Sequence, residues 1–357
     1  MFITSTLIIY KQYRNFISFD LGFNTSNILN IKLDGNKSAI VEKELSSIPE
    51  ITGMSRSVMI PSLGSYYGSN VKYKDPNDSA NVYYNNVDEA YIPILEHKII
   101  AGKNFTPKPE NYEPDQVIVN EQFLKRFNVG NDNPEKAIGE LITIDNKKHT
   151  IVGIVRDFHY GKTDSNIDPF LFRYANKDLN YINAKIVSTD LPSTMSKIEK
   201  AWKNVDKIHP LDAKFYDDQI QQAYSEFSAM VKAIGFMAFL AIVISSMGLL
   251  GMVVFSTETR TREISIRKVF GAGISNLIYL LGRGFVILLI ISAAIAIPAT
   301  YFFFNDFALT SFVYHAPIGF TELFSGSLLV IAIALILVAS QTLKVAQANP
   351  AEILKNE

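Results

Sequence analysis

The sequence predicts a membrane α-helical protein that also carries a folded α+β domain. Two features support this fold class: most charged residues precede residue 226, and the last third consists mainly of apolar runs. The 34 Lys+Arg balance 35 Asp+Glu, which argues against a nucleic-acid partner because nucleic-acid-binding domains usually carry a basic excess. The chain has no cysteine, so a disulfide framework and a cysteine-based metal site are excluded.

Three uncharged apolar runs lie at 234–255, 285–304 and 323–343. An apolar helix of about 20 residues crosses a hydrocarbon core of ~30 Å, so each run is long enough to span a membrane. Buried core helices of a soluble protein are the alternative, which three such runs close together disfavour. Pro298 lies inside the second run, where we expect a kink of the kind that membrane helices tolerate.

The loops between these runs differ in charge, and the difference predicts their orientation. The loop 305–322 contains no Lys or Arg, whereas residues 256–284 contain Arg260, Arg262, Arg267, Lys268 and Arg283. The positive-inside rule places the basic loop in the cytoplasm and the other loop outside. Three crossings then put the tail inside the cell and the soluble part before residue 226 outside.

The N-terminal stretch MFITSTLIIY is apolar but about half as long as a spanning helix. Its basic residues, Lys11 and Arg14, follow the apolar stretch, whereas those of a signal peptide precede it. We therefore expect residues 1–26 to form a partial transmembrane helix, with its first half missing from this chain, and a stalk. An interfacial anchor is the alternative.

Residues 27–216 show an α+β pattern. Apolar and polar residues alternate over 29–34, which indicates a half-buried strand. A helix with Ser38 as its N-cap follows, and then a strand-like stretch at 51–60. Near the other end of the domain, a strand, a helix and a closing strand are predicted at 184–187, 195–205 and 213–216. Strand-helix-strand twice over predicts a split βαβ, ferredoxin-like sheet.

A second, strand-rich subdomain is predicted at about 107–173, inserted into the first. It contains a strand that leads into a short amphipathic helix, and two alternating strands across a polar turn. The Tyr-, Asn- and Ser-rich stretch 64–86 is expected to be an exposed loop or hairpin, either a recognition surface or a mobile loop without a ligand. From 217 to 230 no helix breaker occurs, so a continuous helical stalk into the first span is predicted.

No catalytic constellation is present in the sequence. It lacks a G-x-x-x-x-G-K-[ST] phosphate loop, an H-E-x-x-H pair and a G-x-S-x-G nucleophile motif. The five histidines are scattered, and Asp157 and His159 in RDFHY are better explained by a strand end than by an acid/base pair. We therefore expect no enzymatic activity, no catalytic residue, no metal site and no cofactor in this chain.

The segment 258–272 is both basic and apolar. Isoleucine, valine and phenylalanine alternate with Arg, Lys and Glu, and Gly271 and Gly273 provide a bend before the next span. A helix on the inner membrane surface would have this pattern. So would a helix that inserts into a groove of a soluble partner. Basic residues that merely set the topology are a third explanation.

The sequence RTREISIRKVFGA resembles the R-T-[KR]-E-I-[GS]-I-R-K-x-[FL]-G-A segment of FtsX/MacB-type ABC transporter permeases. Three further stretches, at 87–105, 117–127 and 137–160, resemble the extracytoplasmic domain of this family. The terminal ANPAEILKNE resembles its cytoplasmic tail. The resemblance extends over roughly residues 1–357 and is weakest at 64–86.

The resemblance implies a mechanotransmission machine in the bacterial inner membrane, with a MacB-like periplasmic domain at 27–216 and a stalk and FtsX-like transmembrane domain at 217–357. Residues 259–271 would be a coupling helix that docks on a separate ATP-binding subunit and moves the outer domain, for export or extraction of a peptide, drug or lipoprotein. The partner-binding residues would be Arg260, Arg262, Glu263, Ile264, Ile266, Arg267, Lys268, Val269, Phe270 and Gly271. A second permease half or a homodimer mate is implied, as well as an outer-membrane or cell-wall partner.

The chain departs from the family in one respect. Family members have four membrane helices per half, whereas three and a half are predicted here. The sequence therefore resembles the C-terminal half of a duplicated permease, clipped at its N-terminus, or a single-half permease whose start is clipped. The alternatives are an FtsX-like signalling module that regulates cell-wall hydrolases without transport, which the long inserted subdomain disfavours, and a non-functional fragment.

Overall fold

A computed structural model describes residues 2–75, 77–109, 115–162, 165–260, 263–264, 266–267, 270–310 and 312–347. The chain divides into two compact units. The sheet unit comprises Ile17–Tyr224, and the helical unit comprises Met1–Phe16 with Ser225–Glu357. Each unit takes its form from its own pattern of apolar residues.

The first half of the chain forms one long helix followed by strands and short helices. In chain order these elements are α1 (Phe2–Ile17), β1 (Ile28–Lys32), α2 (Ser38–Leu45), β2 (Ile51–Ser57), β3 (Tyr67–Lys72), β4 (Ser79–Val87), α3 (Tyr91–Ile94), β5 (Ile99–Gly102), β6 (Gln116–Asn120), α4 (Glu121–Phe127), a 3-10 turn (Val129–Asp132) and α5 (Pro134–Ala137).

The second half closes the sheet and then becomes helical. Its elements are β7 (Leu141–Ile144), β8 (Lys147–Val155), β9 (Phe170–Tyr174), β10 (Tyr181–Ile186), α6 (Leu191–Val205), β11 (Ala213–Phe215), α7 (Tyr216–Ala223), α8 (Ser225–Thr259), α9 (Ile274–Phe303), a π-turn (Phe304–Ala308) and α10 (Phe320–Gln347).

Four antiparallel strands and two helices form one part of the sheet unit. The strand order is β11-β1-β10-β2, so β1 pairs with both β11 and β10. Helix α2 connects β1 to β2, and α6 connects β10 to β11. Their apolar faces bury Val41, Leu45, Ile198 and Trp202 against the strand residues of a first core that includes Leu29. The stripe of apolar residues on α6 is therefore explained by packing.

Six of the remaining seven strands form a closed ring of pairings, and the seventh, β5, pairs with β8. Going round the ring, the order is β4, β3, β7, β8, β6 and β9, and β9 pairs back with β4 in parallel. Alternate residues of these strands bury their side chains in a second core together with α4, because successive side chains of a strand point to opposite faces. Val71 and Val82 of the β3–β4 hairpin belong to this core although they precede the predicted insert.

Three long helices of the helical unit are apolar enough to cross a membrane. Their candidate spans are Ser225–Thr259, Gly282–Ala308 and Phe320–Gln341. The three predicted runs are thus confirmed as helices. Pro298 lies inside α9. Helix α1 belongs to the same unit, where its buried Ile8 and Ile9 pack with residues from α10 and from the segment between α9 and α10.

The structure corrects two local predictions. Ser38 is the first residue of α2 and not its N-cap; Lys37 holds that position, without a side-chain capping bond. The helix that leads into the first span is not continuous, because Tyr224 (φ −103°, ψ 16°) separates α7 from α8. The stretch 64–86 contains the β3–β4 hairpin, whose turn includes Lys74 at a positive φ.

Candidate partner-docking segment

Helix α8 ends at Thr259, which is also the first residue of the basic segment, defined here as residues 259–271. Two threonine hydroxyls donate hydrogen bonds back to carbonyl oxygens of the last turns: Thr257 to Val253 at 2.7 Å and Thr259 to Phe255 at 2.9 Å. The amide of Arg260 then donates to the carbonyl of Thr257 at 3.3 Å. The segment therefore begins as a tightened extension of a membrane helix.

The described part of the basic segment is helical and has a defined end. The Ile264 amide donates to the Arg260 carbonyl at 3.0 Å, and the Phe270 amide donates to the Ile266 carbonyl at 3.1 Å. Gly271 has a φ of +85°, and the following Ala272 amide donates to the Arg267 carbonyl at 3.0 Å. A left-handed glycine followed by such a bond is the Schellman end of a helix, which few residues other than glycine can adopt.

One side of this helix is exposed and partly apolar. Phe270 is 87% exposed and Ile266 is 43% exposed, four residues apart and hence on the same face. Beside them, Arg267 Nη2 and Glu263 Oε1 form an ion pair at 2.6 Å. An apolar pair flanked by a charge pair is suited to a groove on a partner, where the apolar groups supply binding energy and the charges set orientation.

The ten predicted partner-binding residues do not share one environment. Ile264 is only 3% exposed, so its side chain packs within the chain. Arg260, Glu263, Ile266, Arg267, Phe270 and Gly271 are exposed. Arg262, Lys268 and Val269 lie outside the described residues. The candidate docking face is therefore carried by Ile266, Phe270 and the Glu263–Arg267 pair.

Gln122 holds the carboxylate of Asp157 in the sheet unit. The two carboxylate oxygens of Asp157 accept hydrogen bonds from the backbone amide and the side-chain amide of Gln122, at 3.0 and 2.9 Å. Burial raises the pKa of Asp157 and lowers that of His159. Among the described residues, no group of three or more His, Asp or Glu is placed to hold a metal ion.

Two buried ionisable groups of the sheet unit have strongly perturbed pKa values. Asp88 accepts hydrogen bonds from the Nε and the backbone amide of Arg56 at 2.9 and 3.0 Å, yet burial raises its pKa to about 6. Burial lowers the pKa of His97 to about 3, and its ring stacks on Phe23 at 4.9 Å between centroids. Both perturbations follow from desolvation, so they are consistent with structural roles.

A polar cluster of the helical unit carries no sequence motif. Gln12 of α1 is 1% exposed, and its side-chain amide donates to the Ala316 carbonyl and accepts from the Ala316 amide, both at 2.8 Å. Lys11 forms an ion pair with Glu322 at 3.0 Å. Two sequence signals could have indicated this cluster. Lys11 and Gln12 directly follow the N-terminal apolar stretch, and Glu322 is a single acidic residue just before the third apolar run.

These observations define the class of protein first: a multi-span membrane protein with a folded extramembranous domain and an exposed basic turn between two spans. The family follows from the sequence. A family model described as the MacB-like periplasmic core domain matches residues 1–201, more than half of the chain, and one described as the FtsX-like permease C-terminal matches residues 235–350. The chain belongs to the FtsX/MacB-type ABC transporter permeases.

Curated relatives agree with this assignment. The macrolide export ATP-binding/permease protein MacB of Aggregatibacter actinomycetemcomitans is 25% identical over 212 residues, which is 56% of this chain and 32% of that protein. An ABC transporter permease of Bacillus subtilis, YknZ, is 21% identical over 246 residues, which is 66% of this chain and 59% of that protein. The chain thus spans about a third of the MacB relative.

Two solved structures are similar to part of this chain. The periplasmic region of MacB from Actinobacillus actinomycetemcomitans covers 58% of this chain and 97% of its own length, with 14% identity and a TM-score of 0.42. The extracellular domain of YknZ from Gram-positive bacteria covers 53% of this chain and 100% of its own length, with 10% identity and a TM-score of 0.39.

Proposed function

We propose that the chain is the permease part of a mechanotransmission-type ABC transporter, in which the basic segment docks on a separate ATP-binding subunit. The observation that carries this proposal is the exposed Phe270–Ile266 face with its adjacent Glu263–Arg267 ion pair. This helical turn is joined covalently to α8 on one side and α9 on the other. Movement of the docked subunit would therefore reach both helices directly.

The composition of the spans supports transmission of movement over conduction of a solute. The apolar runs at 234–255, 285–304 and 323–343 contain no Asp, Glu, Lys, Arg or His, and a pathway for a polar solute usually requires such residues. Helix α8 runs uninterrupted from Ser225 to Thr259 and joins the sheet unit in the chain at Tyr224. We infer that substrate is handled by the sheet unit outside the membrane.

We further propose a bacterial inner-membrane location, with the basic segment in the cytoplasm and the sheet unit in the periplasm. The charge difference between the two loops supports this orientation. Helix α1 would then be a fourth, partial membrane helix. Its close approach to α10 supports this assignment: a methyl group added at Gly326 would lie 2.5 Å from Thr4 Oγ1, and small residues permit such approach in membranes.

The sheet unit would act as a MacB-like outer domain with a ferredoxin-like base and an inserted subdomain. The order β11-β1-β10-β2 with two crossover helices supports the split βαβ assignment. The closed strand ring supports a separate inserted body, consistent with the predicted domain at 27–216. Rigid packing in both cores would let the unit move as a lever and not deform.

A second copy or a second permease half completes the machine in this proposal. MacB-type relatives carry the name of export ATP-binding/permease proteins, and the chain covers 32% of the first of them. ATP would be bound by the partner subunit, so this chain itself would use no cofactor, metal or catalytic residue. The exported class would be a peptide, a drug of the macrolide kind or a lipoprotein, with an outer-membrane or cell-wall partner.

The test is co-purification with the ATP-binding subunit and its ATPase activity in nanodiscs. Reversing Arg267 and Lys268 to glutamate, or changing Phe270→Ser, should reduce co-purification at least tenfold while membrane insertion is unchanged. Phe307→Ser, another strongly exposed phenylalanine but in the other loop, is the matched control and should co-purify as the parent does. Equal recovery of all variants would contradict the docking role.

The same assay separates transport from signalling. Stimulation of the ATPase by a candidate substrate, together with its loss from the outer leaflet or periplasm, supports export. Nucleotide-dependent activation of a cell-wall hydrolase without substrate movement would assign the chain to the FtsX-like signalling class. Failure to bind any ATP-binding subunit, with the basic segment intact, would indicate an inactive fragment.

A further inference from the structure

The loop between α9 and α10 is fastened to α1 by a cluster that we call the loop clamp. It consists of Lys11, Gln12 and Phe16 of α1, Phe312, Ala316, Pro317 and Glu322 of the loop and the start of α10, and Phe227 of α8. All eight residues lie in the helical unit. Nothing in the docking proposal requires these contacts.

The centre of the clamp is Gln12. Its side-chain amide meets both backbone groups of Ala316, one as donor and one as acceptor, at 2.8 Å each. Both residues are buried. A buried amide without partners loses the hydrogen bonds it makes with water, so separation of Gln12 from Ala316 is strongly disfavoured unless water enters. The two hydrogen bonds therefore fix the position of the loop relative to α1 at this point.

An ionic contact and an aromatic contact flank Gln12. Lys11 Nζ lies 3.0 Å from Glu322 Oε1 and donates to the Pro317 carbonyl at 3.0 Å. Glu322 Oε2 accepts from the Gly319 amide at 2.9 Å, which caps the first turn of α10. The same glutamate thus fixes the helix start and binds α1.

The aromatic contact adds α8 to the cluster. The ring of Phe16 lies 5.4 Å from that of Phe227 and 5.3 Å from that of Phe312, and the last two are 6.0 Å apart. Three rings at these distances form a closed triangle of favourable contacts. Helices α1 and α8 and the α9–α10 loop consequently meet at one point, next to the two places where the chain enters and leaves the sheet unit, Ile17 and Tyr224.

Chain connectivity gives the clamp its consequence. The basic segment connects to the sheet unit directly through α8, at Tyr224. It has no covalent connection to the other attachment, at Ile17, except through the sheet unit itself. Helix α9 starts just after the basic segment and leads to the loop, and the loop is held to α1 by Gln12 and Lys11. The clamp closes a second route, from α9 through the loop and α1 to Ile17.

We infer that Gln12 is a positioning residue which couples the α9–α10 loop to α1, so that a displacement of α9 moves the N-terminal attachment of the sheet unit. This inference rests on the proposed function, since it concerns how movement that starts at the basic segment reaches the sheet unit. A unit attached at two points turns when the two attachments move by different amounts. The clamp makes that difference dependent on α9 as well as α8.

The absence of cysteine makes the test direct. Spin labels at Lys200→Cys in the sheet unit and Met247→Cys in α8, both exposed, report the distance between the units in the complex with its ATP-binding subunit in nanodiscs. The parent should show a nucleotide-dependent change in this distance. Gln12→Ala should remove at least half of that change while the ATPase kcat stays within twofold, a split that general loss of folding would not produce.

Further variants keep the test interpretable. Gln12→Glu retains the acceptor but not the donor and should give an intermediate amplitude. Lys11→Glu and Glu322→Lys should each reduce the amplitude, and the charge-swapped double variant should restore part of it. Asn15→Ala, which removes another side-chain amide of α1, is the matched control and should behave as the parent. Hydrogen exchange at the Ala316 amide should accelerate at least tenfold in Gln12→Ala.

The outcomes separate the two proposals. No nucleotide-dependent distance change in the parent complex would overturn the proposed function. A change in the parent that persists at full amplitude in Gln12→Ala, with the Ala316 amide exchanging fast, would overturn the coupling role of the clamp and leave the docking proposal standing. Gln12→Ala could instead lose both the distance change and the ATPase activity, while the charge-swapped double variant fails to restore the distance change lost in Lys11→Glu and Glu322→Lys. That result would count against a positioning role and indicate a structural role for these residues.

Discussion

The two units of this protein place the same kinds of side chain in opposite positions. In the sheet unit, Leu29, Val82 and Phe172 are completely buried. In the helical unit, Ile244 is 69% exposed and Phe236 is 62% exposed, on a helix whose apolar residues face every direction. A contiguous apolar surface of this extent indicates contact with lipid or with another protein. The exposed fraction of an apolar side chain therefore indicates how well it is packed in the sheet unit, where the solvent is water, but not on a surface that contacts lipid or another protein.

Polar groups differ between the units in a corresponding way. The sheet unit buries ionisable residues such as Asp88 and His97, whose pKa values shift because they have lost water. In the described part of the helical unit, two ion pairs lie near helix ends, Lys11–Glu322 and Glu263–Arg267. Helix ends are where a membrane protein meets water, so charges cost least there.

The largest expected effect is in the first core of the sheet unit. Trp202→Ala removes a buried ring and the bond from its Nε1 to the His209 carbonyl at 2.9 Å. It should lower the free energy of unfolding by about 3–5 kcal/mol, or the thermal midpoint of the unit by roughly 10 °C. Trp202→Phe keeps most of the apolar contact and should lose about 1–2 kcal/mol. Equal losses for both would show that the hydrogen bond dominates.

A smaller effect is expected where two helices of the helical unit approach closely. Gly326→Ala would place a methyl group 2.5 Å from Thr4 Oγ1 and 3.0 Å from the Thr4 amide nitrogen, so α1 and α10 must separate. We expect a loss of about 1–3 kcal/mol, measured by thermal unfolding in detergent. Gly248→Ala in α8, where an added methyl group meets no atom within 4 Å, is the matched control and should be neutral or slightly stabilising.

Two buried groups make the stability of the sheet unit depend on pH. The pKa of Asp88 is raised to about 6, so its contribution to stability is present at low pH and is lost as the pH rises through 6. The pKa of His97 is lowered to about 3, so it contributes stability above the ordinary histidine pKa and loses it as the pH falls towards 3. Between pH 4 and 6 the two contributions oppose each other.

Each contribution can be isolated by substitution. Relative to the parent, Asp88→Asn should gain stability as the pH rises from 4 to 6, and His97→Phe should lose it, each by on the order of 1–2 kcal/mol. Thermal unfolding of the full chain at several pH values measures both differences. Parallel curves for the parent and either variant would show that the substituted group does not titrate differently in the folded and unfolded states.

The smallest effect is expected on the lipid-facing side of α8. Phe236→Ala removes a ring that is 62% exposed, and its stability should change by less than about 0.5 kcal/mol. The measurement is thermal unfolding in detergent and again in nanodiscs. A loss of stability as large as that of Trp202→Ala would contradict the proposed difference between the units, because it would reveal a protein neighbour on this face of α8.

Much of the architecture was accessible to sequence reasoning because its signals are local. The spans follow from uninterrupted apolar composition, and β1, β10 and α6 follow from periods of two and 3.6 residues. The basic segment was found through its motif, and its helical end follows from Gly271. Tyr224 carries no such signal: no proline or glycine marks the break between α7 and α8, so the predicted continuous stalk was wrong there.

What the sequence could not provide depends on contacts between distant residues. The closure of the strand ring requires β9 to pair with β4, more than 80 residues earlier in the chain, and no local pattern encodes that pairing. Gln12 and Ala316 are 304 positions apart. Burial of Ile264 beside the exposed Ile266 likewise depends on what packs against the basic segment, whereas both residues have the same chemistry.

The closed ring of strands affects how readily copies of this protein aggregate. An unpaired strand border offers amide and carbonyl groups to any neighbouring chain, and such borders seed aggregation. Strands whose two borders are both satisfied within the ring have none to offer along those stretches. Neighbouring copies therefore find no free strand border to pair with along those stretches.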